Sequence, residues 1–320
     1  MMKKYFISGC CLLWLFSCSS PDPNDVTSGE AREYLSEVLE LMEKNSIHRD
    51  TIDWQRFRRE VYTEVGEAET IIQTYEGIKR ALTLLGDNHS VLVNPDGSRL
   101  KGNSKIKFNV NSVPPVSVPD DVGYVKITSF SGGGDAATAF ADKIQKQIRS
   151  ADSPSLVGWI VDLRGNTGGN MWPMLAGISP ILGEDTIGYF VGANERRFRW
   201  EVRNGSSFNR NSLMTSVTEP YVLANPEPKV AVLLDEGVMS SGEAVAIAFV
   251  GRENTRSFGS ATCGLSTANE TYRLDNNSAL VLTVAYMADR NLKVYGTPIE
   301  PDEEVASEAV VQRAIAWLRQ

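Results

Sequence analysis

Two segments of the chain, LeuValGlyTrpIleValAspLeu (156–163) and LysValAlaValLeuLeu (229–234), are apolar at nearly every position instead of at every second one. A strand with one wet face alternates apolar and polar residues, whereas a strand apolar throughout must be covered on both faces. Each run is followed by a glycine-containing turn and then an apolar helical pattern. ValGlyTyrValLysIle (122–127) and AlaLeuValLeuThrValAla (279–285) read as further strands. Residues 135–149 and ValValGlnArgAlaIleAlaTrpLeu, near the C-terminus, read as helices. This alternation predicts an α/β sheet covered by helices.

Residues 30–85 have a different texture. Tyr34, Leu35, Val38, Leu39 and Met42 recur at three- and four-residue steps and form one apolar stripe. A second helix is expected over 54–65 after Asp53 as N-cap. A third is expected over 69–85, with Ile72, Tyr75, Ile78, Leu82 and Leu85 on one side. The helical pattern stops at GlyAspAsnHisSer (86–90).

Ahead of these helices, Lys3 and Lys4 precede an apolar run from Tyr5 to Phe16 that ends in Leu15-Phe16-Ser17-Cys18. Charge, short apolar core and cysteine have the layout of a secretory signal with a lipobox. The expectation is a signal over 1–17, lipidation at Cys18 and a polar tether over 18–29. A helical domain over 30–100 and a core over 101–320 follow. Of the four cysteines, Cys10 and Cys11 leave with such a signal and Cys18 carries lipid. Cys263 is then left without an intrachain disulfide partner, so packing must hold the core.

Lys and Arg total 32 against 40 Asp and Glu, a net charge of −8. The chain lacks the clustered basic footprint that nucleic acid requires. With only His48 and His89 present, a zinc site built from several imidazoles is excluded. No cofactor motif occurs, and none is expected.

Three stretches carry candidate chemistry. In ValMetSerSerGlyGluAla (238–244) a strand delivers Ser240 to the start of a helix, whose free N–H groups can stabilise an oxyanion. The same Ser240-x-x-Glu243 spacing is a capping box, and local sequence supports both readings. The nucleophile elbow of α/β-hydrolases is absent, because Val238 replaces its first glycine. In AspLeuArgGlyAsnThrGlyGly (162–169) the glycines allow close approach of backbone N–H groups, or simply make a tight turn. His89 and His48, both in polar connections, compete as the base a serine nucleophile needs.

In order, AspLeuArgGlyAsnThrGlyGly, SerSerGlyGlu, ThrCysGlyLeuSerThrAlaAsnGlu (262–270), AspArg (289–290) and TyrGlyThrProIleGluProAsp (295–302) resemble the tail-specific, or C-terminal-processing, serine peptidases of family S41. GlyAspAsnHisSer resembles the Asp-x-His segment of the histidine-using branch, which includes the tricorn core and nisin-resistance peptidases. The resemblance spans roughly 30–305. It implies a ClpP/crotonase-like βαβ spiral core preceded by a small N-terminal helical domain, with the site in the cleft between them. It further implies Ser240 as nucleophile and His89 as base, while Glu243, the third candidate catalytic residue, either orients His89 or only caps the helix. Backbone N–H groups of Ser241 and of the Gly168–Gly169 turn would form the oxyanion hole.

The chain departs from many relatives in two ways. No lysine lies between Ser240 and Lys293, which disfavours a Ser/Lys dyad. Segment 90–122 is shorter than the roughly 50 residues an independent domain such as a PDZ needs. The expected activity is therefore a lipid-anchored serine endopeptidase acting on peptides or protein tails outside the cytoplasm. Its partners would be the peptide substrate and a membrane holding the lipid. The competing readings are a catalytically silent peptide-binding lipoprotein on the same fold, and a crotonase-like acyl-CoA enzyme. Export argues against the latter, since CoA is cytoplasmic.

Overall fold

The computed structural model describes residues 29–104, 106 and 113–320. The expected signal, Cys18 and the tether up to residue 28 lie outside them. In chain order the elements are α1 (Gly29–Asn45), α2 (Trp54–Val65), a 3₁₀ turn (Ile71–Thr74), α3 (Tyr75–Leu85), β1 (Val91–Val93), β2 (Arg99–Lys101), β3 (Val122–Lys126), α4 (Asp135–Ala151), β4 (Gly158–Asp162) and α5 (Met171–Leu182). There follow β5 (Asp185–Gly192), β6 (Arg197–Arg203), β7 (Ser206–Asn209), β8 (Ser212–Ser216), β9 (Val230–Leu234), α6 (Ser241–Phe249), β10 (Thr255–Gly259), β11 (Thr267–Arg273), β12 (Ala279–Ala288), β13 (Glu303–Glu304) and α7 (Val310–Leu318).

The core is a five-stranded parallel sheet in the order β13-β10-β9-β4-β3. Its continuous apolar strands are covered on both faces, as their composition requires. Trp159 and Val161 of β4, with Val230, Val232 and Leu234 of β9, pack with Ile144, Met174, Ile178 and Val245 of the helices on one side. The alternate residues Ile160, Ala231 and Leu233 pack on the other side against Val310, Ala314, Ile315 and Leu318 of α7. Every residue of α6 is buried, which explains a helix apolar around its whole circumference.

A second sheet, antiparallel, runs β2-β1-β12-β5-β6-β7-β8, with β11 also on β12. The helices α1–α3 pack on it: Leu35, Leu39, Met42, Val61, Ile78 and Leu82 share one cluster with Leu92, Leu280 and Leu282. Asp53 caps α2 by accepting from Arg56 N at 3.0 Å. The expected 69–85 helix differs at its start. Residues 71–74 form a 3₁₀ turn, which shifts the helical phase. Ile72 consequently leaves the apolar stripe and is 71% exposed. No helix among the described residues is long and apolar enough to cross a membrane.

Candidate active site

The parallel strands β4 and β9 are hydrogen-bonded neighbours, so the turns at their C-terminal ends lie side by side. Asp235, just after β9, joins them: its Oδ1 accepts from Gly165 N at 2.9 Å and from Gly237 N at 3.0 Å. Met239 N donates to the carbonyl of Asn166 at 3.0 Å. Ser241 Oγ donates to the carbonyl of Gly169 at 2.7 Å. The serine turn and the glycine turn are thus one hydrogen-bonded unit.

Ser240 stands at the N-cap of α6 with φ 53° and ψ −119°. Ordinary N-caps use extended backbone. A non-glycine residue at positive φ costs about 1–3 kcal/mol and persists only where its surroundings impose it. The glutamate half of the capping box is made, with Ser240 N donating to Glu243 Oε2 at 3.0 Å. The other oxygen, Oε1, accepts from Thr262 Oγ1 at 2.5 Å and from Gly264 N at 2.9 Å. Glu243 is fully buried. Desolvation outweighs these hydrogen bonds and pushes its carboxyl up to about 7. Glu243 therefore braces the serine backbone, and it makes no hydrogen bond to His89.

Gly168 (φ 92°) lies directly beneath the serine. A Cβ there would come within 2.9 Å of both Ser240 Cβ and Ser241 N, and 2.8 Å of the Met239 carbonyl. The Gly168 N–H, anticipated as an oxyanion donor, donates instead to Asn166 Oδ1 at 2.9 Å. Among the described residues the N–H groups of Gly169 and Ser241 donate to no partner.

His89 sits in the loop after α3, which Gly86 ends in left-handed conformation (φ 71°). Asp87 shapes this loop, its Oδ1 accepting from His89 N at 2.9 Å and Ser90 N at 2.7 Å. Ser90 Oγ in turn accepts from Thr283 N at 3.0 Å, which fixes the loop to β12. His89 Nδ1 is paired with Thr267 Oγ1 at 2.7 Å. Burial pulls the imidazole down to about 4, with Asp87 opposing and Lys101 adding to the shift, so the ring is neutral at pH 7.

Ser240 and His89 line the same cleft of about 710 Å³, together with Gly169 and Ser241. They also line an adjoining pocket of about 300 Å³. No hydrogen bond joins the two side chains among the described residues. His48 is committed elsewhere. Its Nδ1 pairs with the Leu85 carbonyl and its Nε2 with Tyr286 Oη, both at 2.8 Å. A carbonyl only accepts, so Nδ1 carries the proton. His48 thus ties the end of α3 to β12.

Sequence reasoning missed Thr267, Asn166 and Asp235. Thr267 meets His89 across 178 positions of chain, with no local signal. Asp87 was visible as an Asx-turn residue two positions before His89.

Comparisons with known proteins agree with this arrangement of elements. The model of peptidase family S41 matches residues 121–305. The nisin-resistance protein of Lactococcus lactis subsp. lactis is 27% identical over 289 residues, covering 90% of this chain and 87% of that one. A lipoprotein from Streptococcus agalactiae has a similar structure (TM-score 0.71, 22% identity), covering 91% of this chain and 96% of that one. The photosystem II D1 C-terminal processing protease shares the fold at TM-score 0.54 and 13% identity, covering 87% and 94%.

Proposed function

The chain belongs to peptidase family S41, and on that premise we propose that it is a serine endopeptidase using Ser240 and His89 on peptides or protein tails. The observation that carries the proposal is the strained backbone of Ser240 at the start of a buried helix. Two undonated N–H groups lie in the lining of the same cleft, which also holds a neutral imidazole.

In this reading His89 Nδ1–H donates to Thr267 Oγ1, leaving Nε2 to take the Ser240 proton. Substrate binding closes the remaining gap, since catalytic hydrogen bonds commonly tighten only in the complex. The alkoxide attacks the scissile carbonyl, and its oxygen receives hydrogen bonds from Ser241 N–H and Gly169 N–H. His89 returns the proton to the leaving amine, giving an acyl-enzyme ester. Water deprotonated by His89 then hydrolyses that ester. Gly168 contributes by having no side chain, and Glu243 by holding Ser240 N–H. Ser240→Ala and His89→Ala should each reduce peptide hydrolysis by ~10³-fold or more, and a fluorophosphonate probe should label Ser240. Hydrolysis that survives Ser240→Ala ends this reading.

The absence of a direct Ser240–His89 hydrogen bond favours one alternative, a peptide-binding lipoprotein on the same fold. It predicts affinity for peptides without turnover or labelling. In either case we place the protein at the cell envelope, anchored by lipid at Cys18. The signal-like N-terminus supports this, as does the similar Streptococcus agalactiae structure, which is described as a lipoprotein. Cys18→Ala should release the protein from the membrane fraction.

A further inference from the structure

The chain is acidic overall, with net charge −8, yet its cleft has the opposite sign. Arg49, Arg196 and Arg210 line the larger cavity, where Glu270 is the sole carboxylate among the described residues. Glu270 is already held, accepting from Tyr272 Oη at 2.9 Å. The adjoining pocket is lined by Arg99 and Lys101 with no described carboxylate. Ser240 and His89 line both cavities, so each shares its walls with cationic side chains, although Asp87 acts on His89 more strongly than Lys101 does.

Two of these cations are held in a way that leaves their donors available. The guanidinium carbon of Arg210 lies 3.6 Å from the centre of the Phe198 ring, and that of Arg196 lies 5.5 Å from it. Among the described residues each guanidinium contacts the Phe198 ring and forms no ion pair or side-chain hydrogen bond. Stacking uses the flat face of a guanidinium and leaves its in-plane N–H fork for a carboxylate. Two like charges gathered at one ring repel each other, and an anion between them relieves that repulsion. Arg210 is also held at φ 58°, a left-handed conformation that a side chain rarely adopts. Nearby in the lining, Asn209 has its amide oxygen buried without a partner, an acceptor suited to a peptide N–H.

We propose that this cleft selects acidic peptides, with Arg196 and Arg210 binding a substrate carboxylate in the same cleft as Ser240. The proposal deepens the peptidase reading by naming its substrate class. It disfavours cationic peptides, because a lysine in that position meets two arginines. The carboxylate can come from an Asp or Glu side chain or from a free C-terminus, and the fork geometry suits both.

The test uses fluorogenic peptides of one central sequence, flanked by Glu, Gln or Lys and each made with a free or amidated C-terminus. Cleavage is measured with the wild type and with Arg196→Gln/Arg210→Gln. Binding is measured in parallel by anisotropy on Ser240→Ala, which needs no turnover. The Glu-flanked peptide should bind and be cleaved roughly 10-fold better than the Gln-flanked one. That preference should shrink as salt rises and vanish in the double arginine variant. If amidation weakens Glu- and Gln-flanked peptides alike and the two bind equally, the C-terminus is the source; if the Glu-over-Gln preference survives amidation, the side chain is. Equal binding of Glu- and Lys-flanked peptides to Ser240→Ala overturns the charge proposal even if the enzyme is active. Acidic-peptide binding with no hydrolysis by the wild type sustains the charge proposal and overturns the peptidase one. Arg196 and Arg210 are exposed and Ser240 is half-buried, and matching melting curves confirm that both variants fold.

Discussion

Glu243→Gln tests the electrostatics beneath Ser240 most directly. Burial pushes the wild-type carboxyl up to about 7 in the folded protein from its ordinary 4.5. Its folded form therefore holds a proton more tightly than its unfolded form. The stability this contributes is present below pH 4.5 and is lost as pH rises through 4.5 to 7. The shift corresponds to about 3 kcal/mol lost across that window. Glutamine has no such titration. It keeps one oxygen where Glu243 uses two, so one of the donors now served, Ser240 N or Gly264 N, faces an amide NH₂. An unsatisfied buried donor costs about 1–3 kcal/mol at any pH.

The variant should therefore be less stable than wild type at pH 5 by about 1–3 kcal/mol. At pH 8 the difference should move by about 2–3 kcal/mol in the variant's favour, to near parity or beyond. Urea unfolding of both proteins at the two pH values measures this. Every other titrating group is common to the pair and cancels in the difference. An unchanged difference between pH 5 and pH 8 would refute the claim that burial, and not hydrogen bonding, dominates at Glu243.

His89, pulled down to about 4 by burial, favours its neutral form in the folded state; its stability contribution is full above about pH 6.5 and is lost as pH falls toward 4. The acid limb of kcat/KM should lie accordingly near 4, and a limb near 6.5 that persists in Glu243→Gln would contradict that burial. Gly168→Ala should cost about 1–3 kcal/mol and at least ~10²-fold in kcat, read from melting and peptide hydrolysis, because its Cβ meets backbone on either side of Ser240. Replacing His48 with alanine should cost about 1–3 kcal/mol of stability, since the Leu85 carbonyl and Tyr286 Oη lose their partner. The same variant should keep kcat/KM within a few-fold.

The parallel core was legible because burial on both faces leaves a continuous apolar run, as in β4 and β9. The stripe of α1 was equally plain, because 3.6-residue periodicity is local. The antiparallel strands β5–β8, of which β5, β6 and β7 line one side of the cleft, were missed. β6, ArgPheArgTrpGluValArg, carries the polar–apolar alternation of a strand with one wet face, a legible signal, whereas β7 (SerSerPheAsn) and β8 (SerLeuMetThrSer) are too short and polar to show one.

At the site the division follows the same physics. Residue order alone put a serine, a glutamate and two glycines at strand–helix turns, since turn chemistry and capping act over three or four positions. Which histidine faces the cleft was a matter of tertiary contact. His48 and His89 both sit in polar connections, and only folding gives one to Leu85 and Tyr286 and the other to Thr267. Likewise the sequence names the glycines of the turn, and the Gly168 N–H is taken locally by Asn166 two positions back, but only three-dimensional packing brings the undonated Gly169 N–H into one cleft with Ser240 and Ser241. Charge obeys the same rule. Composition gives the acidic total, while strand pairing and loop placement gather arginines from distant segments around the cleft, because electrostatic potential depends on distance in space and not along the chain.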